Sequence, residues 1–160
     1  MGKEEGDSLV DQYLEGLFPR LRGVHYEITS PAQADYNCIA WAAGDDSRWW
    51  WPDEFYQYYW PDDAPRNSTL EAFIQAFRIL GFEVCEGPAL EADYEKVAIY
   101  ASTDGAPTHA ARQLPDGTWT SKLGQLQDIK HPELNHVSGT GYGRPILIMR
   151  RPRAGQDTEK

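Results

Sequence analysis

The stretch LPDGTW, residues 114–119, constrains the fold most, because it predicts a tight turn between two strands. Pro-Asp-Gly is typical of a three-residue hairpin loop, in which a type I turn is followed by a glycine in the left-handed region. The turn is flanked by THAARQL and TWTSKL, so we expect these two segments to pair antiparallel. With residues 115–117 as the loop, Ala111 lies opposite Ser121.

This register puts His109 and Ser121 on one face of the hairpin, since side chains alternate between faces along a strand. The two are then diagonal neighbours, with backbones about 7–8 Å apart. At that separation the Ser121 hydroxyl can orient the His109 imidazole, directly or through a water molecule. A two-residue loop of residues 116–117 would shift the register by one, and Thr120 and Lys122 would then occupy that face.

Helical spacing of apolar residues predicts a helix in DSLVDQYLEGLFPRL, capped by Asp7 or Ser8. A second helix is predicted in NSTLEAFIQAFRILG, where Ser68 and Glu71 form a capping box. FEVC, KVAIYAS and RPILIMRR are predicted strands, VHYEIT is a short extended piece, and KHPELNH is a predicted loop. Helices thus precede strands, which predicts an α+β fold with N-terminal helices packed on a mainly antiparallel sheet.

A chain of 160 residues suffices for one packed domain, which we expect over residues 7–151, with flexible ends at 1–6 and 152–160. The net charge of −10 argues against nucleic-acid binding. No apolar run approaches the roughly 18 residues of a membrane span. The N-terminus also lacks the apolar segment of a secretory signal. We therefore expect a cytoplasmic protein without membrane contact, with export independent of a cleavable signal as the alternative.

The segment ADYNCIAWAAG, residues 34–44, predicts a short helix over about residues 36–43, with Asp35 as its N-cap. Cys38 then lies in the first helical turn, where free backbone N–H groups and the helix dipole stabilise a thiolate and lower its pKa. Those N–H groups and the Asn37 side chain are candidates for binding an oxyanion. His109, beside two alanines that leave room for another element, is the candidate base.

The same residues can also have a purely structural role. Cysteine is among the most buried residue types, so Cys38 and Cys85 can both be core residues. His25, His131 and His136 lack the ligand spacing of a zinc site, so we expect no metal and no cofactor. The tryptophans and tyrosines of SRWWWPDEFYQYYWPDD would suit a groove for a peptide or sugar, but they are more typical of a hydrophobic cluster packed over the domain.

The order of a cysteine at a helix N-terminus, a histidine on a strand and a polar residue on the next antiparallel strand resembles the papain-like cysteine hydrolase superfamily. YNCIAWAAG, PTHAARQLPDGTWTSKLG and YGRPILIMRR carry the resemblance, which covers about residues 29–151 and is nearest to the bacterial cell-wall amidopeptidases. NCIAWA, WWP, YWP, HAARQ and SKLG also resemble a family of uncharacterised bacterial domains.

The resemblance implies a papain-like fold in which Cys38 is the nucleophile and His109 the base. Ser121 takes the third position, where members of the superfamily more often have Asn, Asp, His or Gln; Asp128 and His131 are alternatives. The cell-wall branch usually has Asp before the cysteine and Ser-Gly after it, whereas this chain has Asn37 and Ile-Ala.

Together these residues predict a thiol hydrolase that cleaves or deamidates an amide bond of a peptide or protein. The alternative is a catalytically inactive acidic module of the same fold, acting as an inhibitor or toxin-neutralising partner. Its charge suits a basic partner.

Overall fold

A computed structural model describes residues 5–153 of the chain. Three α-helices are present in this part: α1 (Glu5–Leu17), α2 (Cys38–Ala42) and α3 (Leu70–Ile79). Two 3-10 turns span Pro19–Leu21 and Leu134–Val137. The strands are β1 (Glu27–Ser30), β2 (Glu83–Cys85), β3 (Tyr94–Ala101), β4 (Pro107–Gln113), β5 (Trp119–Lys122), β6 (Asp128–His131) and β7 (Arg144–Pro152). Of the helices described here, none combines the length and apolarity needed to cross a bilayer.

The seven strands form one sheet in the order β1-β6-β5-β4-β3-β7-β2, and each neighbouring pair is antiparallel. The predicted α+β class with an antiparallel sheet is therefore confirmed. Strand β6 was not predicted from the sequence, which indicated a loop over its end at His131. Its first and last residues, Asp128 and His131, are fully buried polar side chains, so apolar periodicity does not reveal this strand.

The predicted hairpin register is confirmed. Arg112 lies opposite Thr120 and Gln113 opposite Trp119, which requires the three-residue loop. The Leu114 N–H donates to the Thr118 carbonyl at 2.7 Å and closes the turn. The two-residue loop, with Thr120 and Lys122 beside His109, is therefore excluded.

Apolar side chains cover both faces of the sheet. Val97 and Ile99 of β3 pack in a first core with α2, α3 and the aromatic-rich segment. Ala98 and Tyr100 alternate with them and pack in a second core beneath α1. Burial on both faces explains why β3 is a nearly continuous apolar run.

Two helices begin at different residues from those predicted. Asn37 caps α2 in place of Asp35, because its Oδ1 accepts a hydrogen bond from the Ala40 N–H at 3.1 Å. Thr69 caps α3 in place of Ser68, through the Ala72 N–H at 3.2 Å. Neighbouring residues with capping side chains compete for one position, and sequence pattern alone does not decide between them.

The chain ends also differ from the prediction. Because α1 begins at Glu5, Asp7 and Ser8 lie inside the helix and not at its N-cap position. Residues 5–6 and residue 152, predicted as flexible, belong to α1 and β7. The remainder of the predicted flexible ends, apart from residue 153, lies outside the described residues.

The loop before β7 depends on Gly143. Gly143 and Gly139 exchange two backbone hydrogen bonds of 2.7 and 2.8 Å. At Gly143 the φ angle is 75°, and a Cβ there would lie 2.0 Å from the Ala101 carbonyl oxygen. The site therefore excludes every side chain.

We expect Gly143→Ala to lower the free energy of unfolding by roughly 2–4 kcal/mol, because overpacking and left-handed strain add. Gly141→Ala is the matched control, since a Cβ at Gly141 meets no atom within 4 Å. Urea denaturation of both variants measures the effect. Equal stabilities of the two variants would contradict the close approach to β3.

Candidate functional site

Asn37 fixes the start of α2 and thereby the position of Cys38, the first residue of the helix. Its Oδ1 accepts from the N–H groups of Ala40 and Trp50, both at 3.1 Å. Its Nδ2 donates to the Trp50 carbonyl at 2.8 Å. Asn37 thus joins the cysteine turn to the aromatic-rich segment, and one Nδ2 hydrogen is left over.

The Cys38 sulfur lies against the edge of β4. Its Sγ is 4.0 Å from the Thr108 carbonyl oxygen and receives a hydrogen bond from the Ala110 amide. These two residues flank His109. Because Thr108 is the extra residue in a β3–β4 register shift, the strand is distorted at this contact.

The thiol is neutral at rest, contrary to the lowered pKa expected from the sequence. Cys38 is only 6% exposed, and burial raises the pKa of its thiol to about 11. The N–H groups of Cys38, Ile39 and Ala110, and the charge of Lys122, oppose the shift without reversing it. Since α2 has five residues, its dipole is too short to outweigh desolvation.

His109 heads a chain of three buried polar side chains on the other face of the sheet. Its Nε2 lies 3.0 Å from Ser121 Oγ, which lies 2.8 Å from His131 Nε2. The Nδ1 of His131 is 2.9 Å from the Glu133 carbonyl oxygen. The hairpin register thus brings Ser121 to His109 as expected, and β6 adds His131.

The Glu133 carbonyl sets the proton positions along this chain. A carbonyl only accepts, so Nδ1 of neutral His131 carries the hydrogen and its Nε2 is bare. Ser121 then donates its hydroxyl hydrogen to His131 and accepts from His109 Nε2. It follows that His109 Nδ1 is bare, and this buried atom has no hydrogen-bond partner within the described residues. Nδ1 is therefore a free proton acceptor.

Both imidazoles are neutral near pH 7. Burial, and then electrostatic repulsion between the protonated forms of His109 and His131, hold the pKa of His109 well below its usual value. Burial lowers the pKa of His131 to about 4, opposed by its bond to the Glu133 carbonyl. The His109 ring also stacks on Tyr142, with centroids 4.0 Å apart, and meets the edge of Tyr100. The resting site therefore contains no thiolate–imidazolium pair.

A cavity of about 330 Å³ opens beside the thiol. Cys38, Asn37, Thr108 and Gly124 form part of its wall, and the rest is aromatic: Trp49, Trp51, Tyr58 and Tyr142. Cys38 and Tyr142 both border it, and Tyr142 lies between the cavity and His109. Thiol and imidazole thus approach β4 from different faces of the sheet.

The other candidate polar residues do not take part in the hydrogen bonds that connect His109, Ser121 and His131. Asp128 accepts a hydrogen bond from the Tyr36 hydroxyl at 2.8 Å, so it is not the partner of His109. Thr120 accepts from the Trp41 indole on the α2 face. Tyr142 was not predicted as a site residue from the sequence. Among the side chains that the structure describes, no three of His, Cys, Asp or Glu are grouped as metal ligands.

We expect acid to destabilise the fold before the carboxylates titrate. His109 and His131 bind a proton more readily when unfolded, so their contribution to stability is present above pH 6.5 and is lost as pH falls towards 4. Between pH 7 and 5.5 the free energy of unfolding should fall by about 2 kcal/mol. Denaturation at both pH values measures this change in the free energy of unfolding. The variant His25→Gln, which changes an exposed histidine, should show the same change as the wild type. A stability independent of pH over this range would contradict two buried neutral imidazoles.

Most of the chain matches the model of a protein family. Residues 27–150 match the model of a family described as a domain of unknown function (DUF7689). No curated protein and no solved structure matches the chain. The matched part contains the cysteine, the three-residue polar chain and the aromatic cavity. Because it covers more than half of the sequence, the chain belongs to the family of unknown function DUF7689.

Proposed function

We propose that the protein is a papain-like thiol hydrolase that cleaves or deamidates an amide bond, with Cys38 as nucleophile and His109 as base. The observation that carries the proposal is that His109 Nδ1 has no hydrogen-bond partner in the described part of the chain, while the hydrogen bonds through Ser121 and His131 leave this nitrogen without a hydrogen. A general base needs a free lone pair and a fixed tautomer, and the hydrogen bonds through Ser121 and His131 give His109 both.

The reaction begins with neutral groups. As the Cys38 sulfur attacks the substrate carbonyl carbon, its hydrogen passes to His109 Nδ1 and a tetrahedral oxyanion forms. The proton then moves to the leaving nitrogen, the C–N bond breaks, and an acyl-enzyme remains. Water hydrolyses the thioester by the reverse proton path, which releases the acid and restores the thiol.

Two groups of donors support the oxyanion assignment. The N–H groups of Cys38 and Ile39 lie near the sulfur and act to lower the pKa of its thiol, so they are placed to stabilise charge on the oxygen of an attacked carbonyl. The spare Nδ2 hydrogen of Asn37 borders the same cavity. Asn37 would thus combine capping with oxyanion binding.

The mechanism requires the thiol hydrogen to leave the Thr108 carbonyl and reach His109 Nδ1. The sulfur already contacts the backbone on both sides of His109, at the distorted start of β4. Tyr142, between the cavity and the imidazole, is the side chain that must yield. Substrate entry into the cavity would drive both changes.

A second candidate is an inactive acidic interaction module. The buried neutral thiol, and its approach to β4 from the face opposite the imidazole, favour it. Phe55 and Tyr56 are 77% and 75% exposed and would supply an apolar contact. The two candidates differ in whether His109 affects the reactivity of Cys38.

We expect a peptidyl acyloxymethyl ketone to label Cys38 in the Cys85→Ser background, because this probe needs an activated sulfur. Cys38→Ala should abolish labelling, and His109→Gln should slow it by roughly 100-fold. Intact-mass spectrometry over time measures the rate. His25→Gln is the control histidine variant, because His25 is exposed and lies outside the hydrogen-bonded side chains of the site, with circular dichroism to check folding.

Labelling that proceeds equally well in His109→Gln would contradict the catalytic role. In that case Cys38 would be an ordinary buried thiol, and the interaction module would remain. If His109→Gln does not fold, Ser121→Ala tests the same role of His109, because this variant leaves both histidines in place.

We expect Ser121→Ala to slow labelling by at least roughly tenfold, because His109 loses the partner that fixes its tautomer. Ser121→Thr keeps the hydroxyl and should restore most of the rate. In ¹⁵N NMR spectra, His109 of the wild type should show a protonated Nε2 and a bare Nδ1. The opposite tautomer in the wild type would refute the proton assignment.

A further inference from the structure

We propose that the cavity beside Cys38 binds a lysine or arginine side chain of the substrate, so that the substrate class is a basic peptide. This inference rests on the proposed hydrolase function and assigns its specificity.

Aromatic rings form the walls of the cavity. Trp49 and Tyr58 lie with centroids 6.0 Å apart and planes inclined by 38°, and Trp51 and Tyr142 complete the lining. The faces of such rings carry negative charge and attract cations, most strongly for tryptophan. No lysine or arginine among the described residues lines the cavity, so its ring faces are available to a cation from outside.

The same segment already holds cations over its rings. The Arg48 guanidinium lies 3.5 Å from the centre of the Tyr59 ring, and that of Arg66 lies 4.2 Å from the centre of the Tyr56 ring. Over residues 5–153, no cation lies over Trp49, Trp51 or Tyr58. The rings that line the cavity thus resemble Tyr56 and Tyr59, but no arginine or lysine of the described chain lies over them.

The charge around the segment favours a cationic ligand. Residues 45–63 contain six acidic residues and one basic residue, within a chain of net charge −10. Asp45 pairs with Arg48 and Asp53 with Arg66. The four others are exposed and have no ion pair within the described chain: Asp46, Glu54, Asp62 and Asp63. Their uncompensated field draws basic peptides towards the cavity.

A long basic side chain also matches both the aromatic walls of the cavity and the acidic residues of the segment around it. Its methylene groups can lie along the aromatic walls while its charged end remains near the acidic segment. A neutral aliphatic side chain would bury against the same rings but gain nothing from the acidic residues. The contrast between lysine and norleucine therefore isolates the charge.

The test is isothermal titration calorimetry with the Cys38→Ala protein, which binds without turnover. The probes are acetyl-Ala-Lys-Ala-amide and its norleucine analogue, with the arginine peptide as a third. We expect the lysine and arginine peptides to bind at least about fivefold more tightly than the norleucine peptide. The preference should shrink at high salt.

Variants locate the binding site. Trp49→Leu and Tyr58→Leu should each remove most of the preference, since both rings line the cavity and neither belongs to the buried core. Phe55→Leu is the matched control, because Phe55 lies on the same segment, is 77% exposed and does not line the cavity. It should bind like the parent.

Equal or tighter binding of the norleucine peptide, no binding of any peptide, or a preference unchanged in Trp49→Leu would each overturn the inference. The result is separable from the hydrolase proposal. A lysine preference in a protein whose Cys38 ignores His109 would reject the hydrolase and keep the cationic cavity.

Discussion

The hydrogen bond from His131 Nδ1 to the Glu133 carbonyl determines the direction of hydrogen bonding at Ser121 and the tautomer of His109. Because the carbonyl can only accept, the direction of donation is fixed through Ser121 to His109. Without that anchor the buried serine hydroxyl could point either way, and His109 could adopt either tautomer. The Glu133 carbonyl, just beyond β6, thus keeps the Nδ1 lone pair of His109 free, acting through the His131 and Ser121 side chains.

Burial then decides which chemistry is available. Desolvation keeps the Cys38 thiol protonated and both imidazoles neutral, so no resting ion pair forms. Neutral side chains avoid the cost of buried charge. The same burial makes the fold sensitive to mild acid, because a proton on either imidazole would put a charge where water cannot solvate it. Under the proposed function, the stability of the fold and the reactivity of the thiol would both depend on this desolvation.

Cys38 and His109 both adjoin one irregularity in the strand pairing of the sheet. α2 brings the sulfur to β4 from the first core, while the His109 ring packs in the second with Tyr100. The sulfur contacts the backbone on both sides of His109, where Thr108 interrupts the β3–β4 register. At this point the aromatic-rich segment, tied to α2 by Asn37, closes over the thiol and forms the cavity. Tyr142 joins this cavity to the second core, because its ring packs against Phe18 and stacks on His109.

The hairpin and the pairing of His109 with Ser121 could be predicted from the amino-acid sequence alone. Pro115, Asp116 and Gly117 dictate the turn, the turn dictates the register, and side-chain alternation then puts Ser121 beside His109. Apolar spacing likewise predicted α3 and the strands β3 and β7. These features depend on residues close together in the chain, whose local geometry is strongly restricted.

Other features of the site required the folded chain. β6 and the place of His131 depend on buried polar residues that have no periodic signal, and the cap at Asn37 depends on a bond to Trp50 thirteen residues away. The thiol pKa was predicted low from the helix position and is raised to about 11, because desolvation by distant elements outweighs the local N–H groups. Long-range packing sets the dielectric surroundings of a side chain, and local sequence does not encode them.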